Sequence, residues 1–382
     1  DMSNRWTGGF IQAYFDPLAP SELQGYSAFV WGPNSSGQLG TGNTVYRSSP
    51  VQVSGEPDWT EVNQAAFNAV GIVGNGTIWS WGAASRGRSG QNNVIVNSSP
   101  VQIGTLTNWS TADVAGSVAL AIKTDGTLWS WGYNVYGELG INNRVETSSP
   151  IQVGGLNTWL KVTSAYNDAA AIKTDGTLWT WGRGSNGRLG HNDIVDRSSP
   201  VQVGTLTNWS SHASGSGGSV AAIKTDGTLW TWGTGGLGGL GHNNLIYLSS
   251  PVQVGALTNW SNAAMAQNGN LIAVKTDGTL WVCGQNNYGQ LGLNDTVKRS
   301  SPVQVGALTT WLKGAASYGT AGAVKTDGTI WTWGQNTAGK LGQGDVINKS
   351  SPVQVGAETG WLTINAGQAS STNSGGFAAL KG

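Results

Sequence analysis

Residues 159–204 break into four short runs in which apolar and polar positions alternate or lie wholly apolar: WLKVTSA (159–165), AAAIK (169–173), TLWTWG (177–182) and SPVQVG (199–204). Alternation with a period of two is the signature of strands, and no ten-residue stretch carries a helical period. Thr174-Asp175-Gly176 separates the second and third runs. Asp closes a tight turn with its side chain and Gly supplies a positive φ, so this pair of runs is a hairpin. The longer NGRLGHNDIVDR that follows suits irregular backbone. In TLWTWG the two tryptophans share one face, and Leu178 and Thr180 share the other. Both faces are expected to be buried between neighbouring sheets. Ala and Gly in AAAIK, VAAIK and AGAVK suit a crowded position near an axis.

The pattern recurs through the chain. Ser-Ser-Pro ends at Pro50, Pro100, Pro150, Pro200, Pro251, Pro302 and Pro352. KTDGTLWTWG stands at 173–182 and again at 224–233, with near-copies from Lys123, Lys275 and Lys325 and a worn one from Val73. A repeat of this length predicts stacked supersecondary units. The two ends are decisive. Residues 25–32, GYSAFVWG, enter at the third strand of a unit, whereas WLTINAG (361–367) and GFAALK (376–381) supply only the first two strands. Two complementary halves make a ring, because an open array needs capped ends instead. The expected fold is therefore all-β: a seven-bladed β-propeller of four-stranded blades over 25–382, with N- and C-terminal strands sharing one blade. Residues 1–24 have no partner in the repeat.

Composition narrows the chemistry. Charged residues are 10% of the chain, and 20 basic residues balance 20 acidic ones. No basic run is present to meet phosphates, so neither nucleic acid nor an anionic membrane is an expected partner. The single cysteine, Cys283, occupies the place of a repeat tryptophan and is expected to be a buried stand-in for it. Nothing approaches an 18-residue apolar span, and DMSNRWTGG lacks the charged and apolar regions of a signal peptide. His191 and His242 follow the Leu-Gly of adjacent units and read as interchangeable surface residues. The repeated Asp125, Asp175, Asp226, Asp277 and Asp327 are explained by their turns. No nucleophile, base and orienting group come together in the sequence, so no catalytic residue, cofactor or metal ligand is assigned and the chain is expected not to be an enzyme.

The pattern WGxNxxGxLGxND…SSPVQVG…AAAIKTDGTLWxWG resembles the regulator of chromosome condensation repeat, over about 25–382. GQLG stands at 37–40 and 289–292, GELG, GRLG, GGLG and GKLG elsewhere, and the second copy departs to GRSG at 87–90. The resemblance implies a seven-bladed propeller. It also implies nucleotide exchange on a small GTPase, which the uniform units of 50 or 51 residues argue against, since none carries a long inserted wedge. Such bare repeats are similar to those of bacterial and phage-encoded proteins.

Binding should lie where the units differ. The loop after Trp-Gly varies freely and offers Arg86, Tyr133, Tyr136, Arg183 and Tyr288. The leading segment offers Trp6, Phe10, Ile11, Tyr14 and Phe15, and is expected to dock on another subunit, with folding back over the propeller as the alternative. Neutral charge, polar loops and no catalytic constellation lead to one expectation. The chain should be a structural or adhesive module, extracellular or on a virion or bacterial surface, whose partners are other subunits of an assembly or a surface receptor. A glycan-binding propeller using Tyr133, Tyr136 and Tyr288 is the alternative.

Overall fold

The computed structural model describes residues 25–382 except 57, 216, 268 and 368–373. Seven four-stranded antiparallel sheets are present. In the blade read above, the strands are Trp159–Ser164, Asp168–Lys173, Leu178–Gly182 and Arg197–Gln202, within two residues of the runs in the sequence. The closing blade is hydrogen-bonded in the order Arg47–Gln52, Ser27–Gly32, Phe377–Lys381, Trp361–Ala366. Ser27 pairs with Lys381 and Trp31 with Phe377, so the two chain ends are stitched together as expected.

The strand that opens on a tryptophan is the innermost in each blade. These strands touch one another around the ring, from Trp59–Gln64 through Trp361–Ala366 and back to the first. Each carries a register shift just after its tryptophan, between Trp159 and Lys161 in the third blade for example. The small residues serve the second strand, not the axis. Asp168–Lys173 is buried at every position, and Ala suits a strand covered on both faces by neighbouring sheets.

The recurring decapeptide is a structural device. Asp175 Oδ1 accepts hydrogen bonds from the Thr177 backbone N–H at 3.0 Å and from Thr177 Oγ1 at 2.6 Å. Trp179 Nε1 then donates to Thr177 Oγ1 at 2.8 Å. Gly176 sits at φ +75°, and a Cβ there would collide with the carbonyl of Thr207. The Lys173 ammonium lies 3.6 Å from the Trp179 ring centre and 4.8 Å from that of Trp159, so the lysine is clasped by two indoles. The same clasp recurs at Lys123, Lys224, Lys275 and Lys325. Trp179 is only half-buried because it stands at this turn end of the blade, whereas Trp181 is fully buried. Trp181 Nε1 donates to the Glu138 carbonyl of the preceding blade at 2.8 Å. Cys283 occupies the equivalent slot, fully buried, with Sγ 3.5 Å from the Gly239 carbonyl. The tryptophans are packing residues. No helix among the described residues is long and apolar enough to cross a membrane.

Candidate interaction face

Antiparallel order puts the connections between first and second strands, and between third and fourth, at one end of the ring. The Lys-Thr-Asp-Gly turns and the blade-to-blade linkers lie at the other. The first end, the loop face, holds all the variable loops.

Those loops vary in letters but not in geometry. In every blade an Asn or Asp side chain accepts a hydrogen bond from the backbone N–H two residues on, and that second residue is Val or Ile. The pairs are Asn43–Val45 (3.0 Å), Asn93–Ile95 (2.9 Å), Asn143–Val145 (2.8 Å) and Asp193–Val195 (3.0 Å). Asn244–Ile246 (3.1 Å), Asp295–Val297 (2.9 Å) and Asp345–Ile347 (3.0 Å) complete the set. Each aliphatic side chain is 54–65% exposed. The turns are held firmly. Asn134 Nδ2 donates to the carbonyls of Asn143 and Val145, and its Oδ1 accepts from the Leu139 N–H. Asn142 N–H reaches across to the Ser198 carbonyl of the next blade at 2.7 Å, and an equivalent latch spans each of the seven junctions. The result is a crown of seven β-branched side chains, each turned to solvent by a fixed turn. The signal was present in the sequence as Asn/Asp two positions before Val/Ile in each unit.

Four of the five loop residues singled out in the sequence meet on this face. The Arg86 guanidinium lies 4.6 Å from the Tyr133 ring centre and that of Arg183 lies 4.9 Å from the Tyr136 ring centre. Arg86 also pairs with Glu146 at 3.3 Å. This Arg–Tyr ladder crosses three consecutive blades. Burial pushes the Tyr133 hydroxyl pKa up. Tyr288 stands apart, its ring against Gly319 of the neighbouring blade and its N–H donating to Gln290 Oε1 at 2.8 Å. Trp6, Phe10, Ile11, Tyr14 and Phe15 lie outside the described residues.

A second polar feature, absent from the sequence reading, lines the channel along the ring axis. Glu61 accepts from the Ala112 N–H at 2.9 Å, Asp113 from the Ser164 N–H at 2.7 Å, and Asn262 from the Gly314 N–H at 3.0 Å. Lys161 donates to the Ser210 carbonyl at 2.7 Å, and Lys313 to Thr363 and Asn365, both at 2.8 Å. Every one of these bonds joins one inner strand to the next, so the girdle staples the ring. Burial raises the Glu61 carboxyl to about 7 and lowers the Lys313 ammonium to about 8, the latter partly restored by the charges of Glu61 and Asp113.

Two of the three histidines are engaged locally by hydrogen bonds, and the third, His212, is buried with its ring 5.9 Å from that of Trp232. His191 Nε2 lies 2.9 Å from Thr180 Oγ1 and His242 Nε2 the same distance from Thr231 Oγ1. Burial depresses His191 to about 4. A groove of about 350 Å³ runs past His191, Trp209, Trp230 and Ser250 between two blades. Among the described residues no three His, Cys, Asp or Glu side chains gather closely enough to hold a metal ion.

Comparison with known proteins places these features. The description "Regulator of chromosome condensation (RCC1) repeat" matches residues 27–66, 125–172, 175–222, 277–323 and 327–372. Protein RCC2 of Mus musculus is 37% identical over 94 residues, which is 23% of this chain and 18% of that protein. The X-linked retinitis pigmentosa GTPase regulator homolog of Caenorhabditis elegans is 34% identical over 94 residues, or 23% of this chain and 7% of that one. The chain thus aligns with less than a fifth of the length of these relatives. Prp20p of Saccharomyces cerevisiae, described by its binding to Gsp1p and histones, superposes with a TM-score of 0.82 at 17% identity, covering 94% of this chain and 92% of that one. Human WBSCR16 gives 0.80 at 17% identity, covering 93% and 98%. At that identity the likeness is one of fold.

The expectation of an extracellular or virion-surface location is overturned. The relatives that match include RCC2 proteins of animals and a GTPase regulator homolog, and neither description is of a surface or virion protein. Neutral composition and even repeats describe the propeller and carry no address. With more than half its residues matched by the repeat and all seven blades built to it, the chain belongs to the regulator of chromosome condensation (RCC1) repeat family.

Proposed function

We propose that this chain is a non-enzymatic protein-interaction module that receives a protein partner on its loop face. The observation that carries the reading is the crown. Seven large aliphatic side chains stand 54–65% exposed at equivalent places, although soluble proteins bury such groups where they can. Fixed turns remove the usual entropic penalty of ordering a loop on contact. The Arg–Tyr ladder adds the residue types that dominate binding energy at interfaces. The ring beneath is rigid, stapled by the channel girdle and the latches. A partner would therefore meet a preformed surface.

Glycan binding is less favoured, because an arginine covers one ring face of each of Tyr133 and Tyr136, the face a sugar would stack on. Nucleotide exchange, suggested by the Gsp1p-binding Prp20p, is less favoured because no unit carries an inserted wedge.

A photo-crosslinker placed at Val145 on the loop face or at Leu206 on the turn face, in the cells that make the protein, tests the reading. A discrete protein adduct from position 145 alone is expected. Adducts from 206 alone, or none from either, would overturn it. Acceleration of GDP release from a small GTPase of the same source would replace it with exchange activity.

A further inference from the structure

The chain has zero formal charge, yet the ring sorts its charges by face. The seven loops of the loop face, 33–47, 83–97, 133–147, 183–197, 234–248, 285–299 and 335–349, hold eleven Lys and Arg against six Asp and Glu. Arg88, Glu138, Arg188 and Lys340 among these are buried, which leaves eight basic side chains reaching solvent against five acidic ones. The turn face has the opposite bias. Its strand ends, turns and linkers hold six basic residues against eight acidic ones.

Three of the loop-face acids are each paired with a base four residues on, which cancels both charges and leaves the basic excess as it stands. Asp193 is bound by Arg197 at 2.8 Å, Asp295 by Arg299 at 2.6 Å and Asp345 by Lys349 at 2.9 Å. Arg86 and Arg144 keep more than half of their side-chain surface exposed despite their pairs with Glu146 and Asp196. Arg86, Arg144 and Arg183 come from three consecutive blades. The next blade contributes no charge in its loop and instead exposes Leu245, Ile246 and Tyr247 at 45%, 61% and 53%. A basic arc therefore adjoins an uncharged apolar arc on one rim.

We propose that the partner of the loop face is an acidic protein surface carrying aliphatic side chains. The inference rests on the reading of that face as a docking face and adds the chemistry of what docks. Opposite charge across an interface steers encounter and penalises wrong partners, and aliphatic groups on the partner would cover the crown. A nucleic acid fits less well. Its phosphates would meet the arginines but leave seven aliphatic tips against a charged backbone, where they gain nothing. An anionic membrane fits less well too, because Glu146, Asp193, Asp196, Asp295 and Asp345 share the rim, and the tips lack the Trp and Phe of interfacial anchors.

The probe is a fluorescein-labelled helical peptide of Glu and Leu, with a Lys-for-Glu twin, measured by anisotropy against the full chain. The Glu/Leu peptide should bind, and more weakly as NaCl is raised from about 50 to about 300 mM, as screening of exposed charges requires. The triple variant Arg86→Glu/Arg144→Glu/Arg183→Glu should bind it at least about tenfold more weakly, an ordinary loss for rim charge reversal. Its melting temperature should stay unchanged, because these side chains are surface groups. Equal or tighter binding of the Lys/Leu twin, of duplex DNA, or of phosphatidylserine vesicles would overturn the proposal, as would binding indifferent to the triple variant. The adduct at Val145 separates the two readings. If it forms with a basic partner segment, the acidic-partner inference fails and the docking face stands. If it does not form, the docking face itself fails.

Discussion

Deleting residues 361–382 removes the inner and second strands of the closing blade and strips Ser27–Gly32 of one of its two neighbours. The loss can be sized from the side chains involved. Trp361, Ile364, Phe377 and Leu380 are 3%, 0%, 0% and 6% exposed, and burial of each large apolar side chain is worth about 1.5–3 kcal/mol, so the four contribute about 6–12 kcal/mol. A typical domain is stable by only about 5–15 kcal/mol. The deletion also removes the Lys313 bonds to Thr363 and Asn365, the Asn365 bond to the Val62 carbonyl, and the stacking of Phe377 on Trp31 at 5.7 Å. The hydrogen-bonding edge of Ser27–Gly32 would then face water. The truncated chain should lose cooperative unfolding in guanidinium followed by tryptophan fluorescence, and the amides of 27–32 should exchange freely. A truncated chain with the midpoint and slope of the intact one would refute the closed ring.

Two further outcomes follow from single side chains. Cys283 is fully buried and its thiol is pushed up to about 12 by burial, so Ellman's reagent should leave it unlabelled in the native protein and react fully in denaturant. Rapid native labelling would contradict its role as a packing residue. Glu61 binds its proton more tightly folded than unfolded, its pKa raised from 4.5 to about 7, so native stability should fall as pH rises through that window. Glu61→Gln should therefore gain on the wild type at pH above about 7 and lose that gain below about 4.5, read from denaturation midpoints; a pH-independent difference would show that the carboxyl is not desolvated.

Much of the fold was legible because the repeat reports it many times over. The hairpin turn at Asp175-Gly176, the Ser-Ser-Pro strands and the split closing unit were each readable from spacing alone. The channel girdle was not. Its positions read Glu61, Thr111, Lys161, Ser211, Asn262, Lys313 and Thr363 across the seven units, without a shared chemistry to mark them. Only the closure of the ring brings them together. The crown was hidden differently. Comparing letters makes Thr-Val-Tyr, Val-Ile-Val and Leu-Ile-Tyr look like drift, whereas the fixed two-residue offset from Asn or Asp makes them one turn. A net charge of zero likewise conceals two faces of opposite bias. Tyr133 and Tyr136 stand out in the sequence as aromatics in a variable loop, and the fold sets each against an arginine of an adjoining blade. Tyr288, chosen on the same ground, packs against Gly319 across a blade junction.

The most direct test of the loop face replaces all seven tips with serine at once: Val45, Ile95, Val145, Val195, Ile246, Val297 and Ile347. Their turns are made by backbone N–H groups, which serine retains, and each side chain is already more than half exposed. The account predicts a melting temperature within about 2 °C of the wild type, because surface substitutions away from packed contacts change stability little. It predicts in the same variant the loss of the adduct formed from a photo-crosslinker at Tyr136, beside the crown. A large fall in melting temperature would show that the tips hold the fold together, and an undiminished adduct in a stable variant would show that partners dock elsewhere.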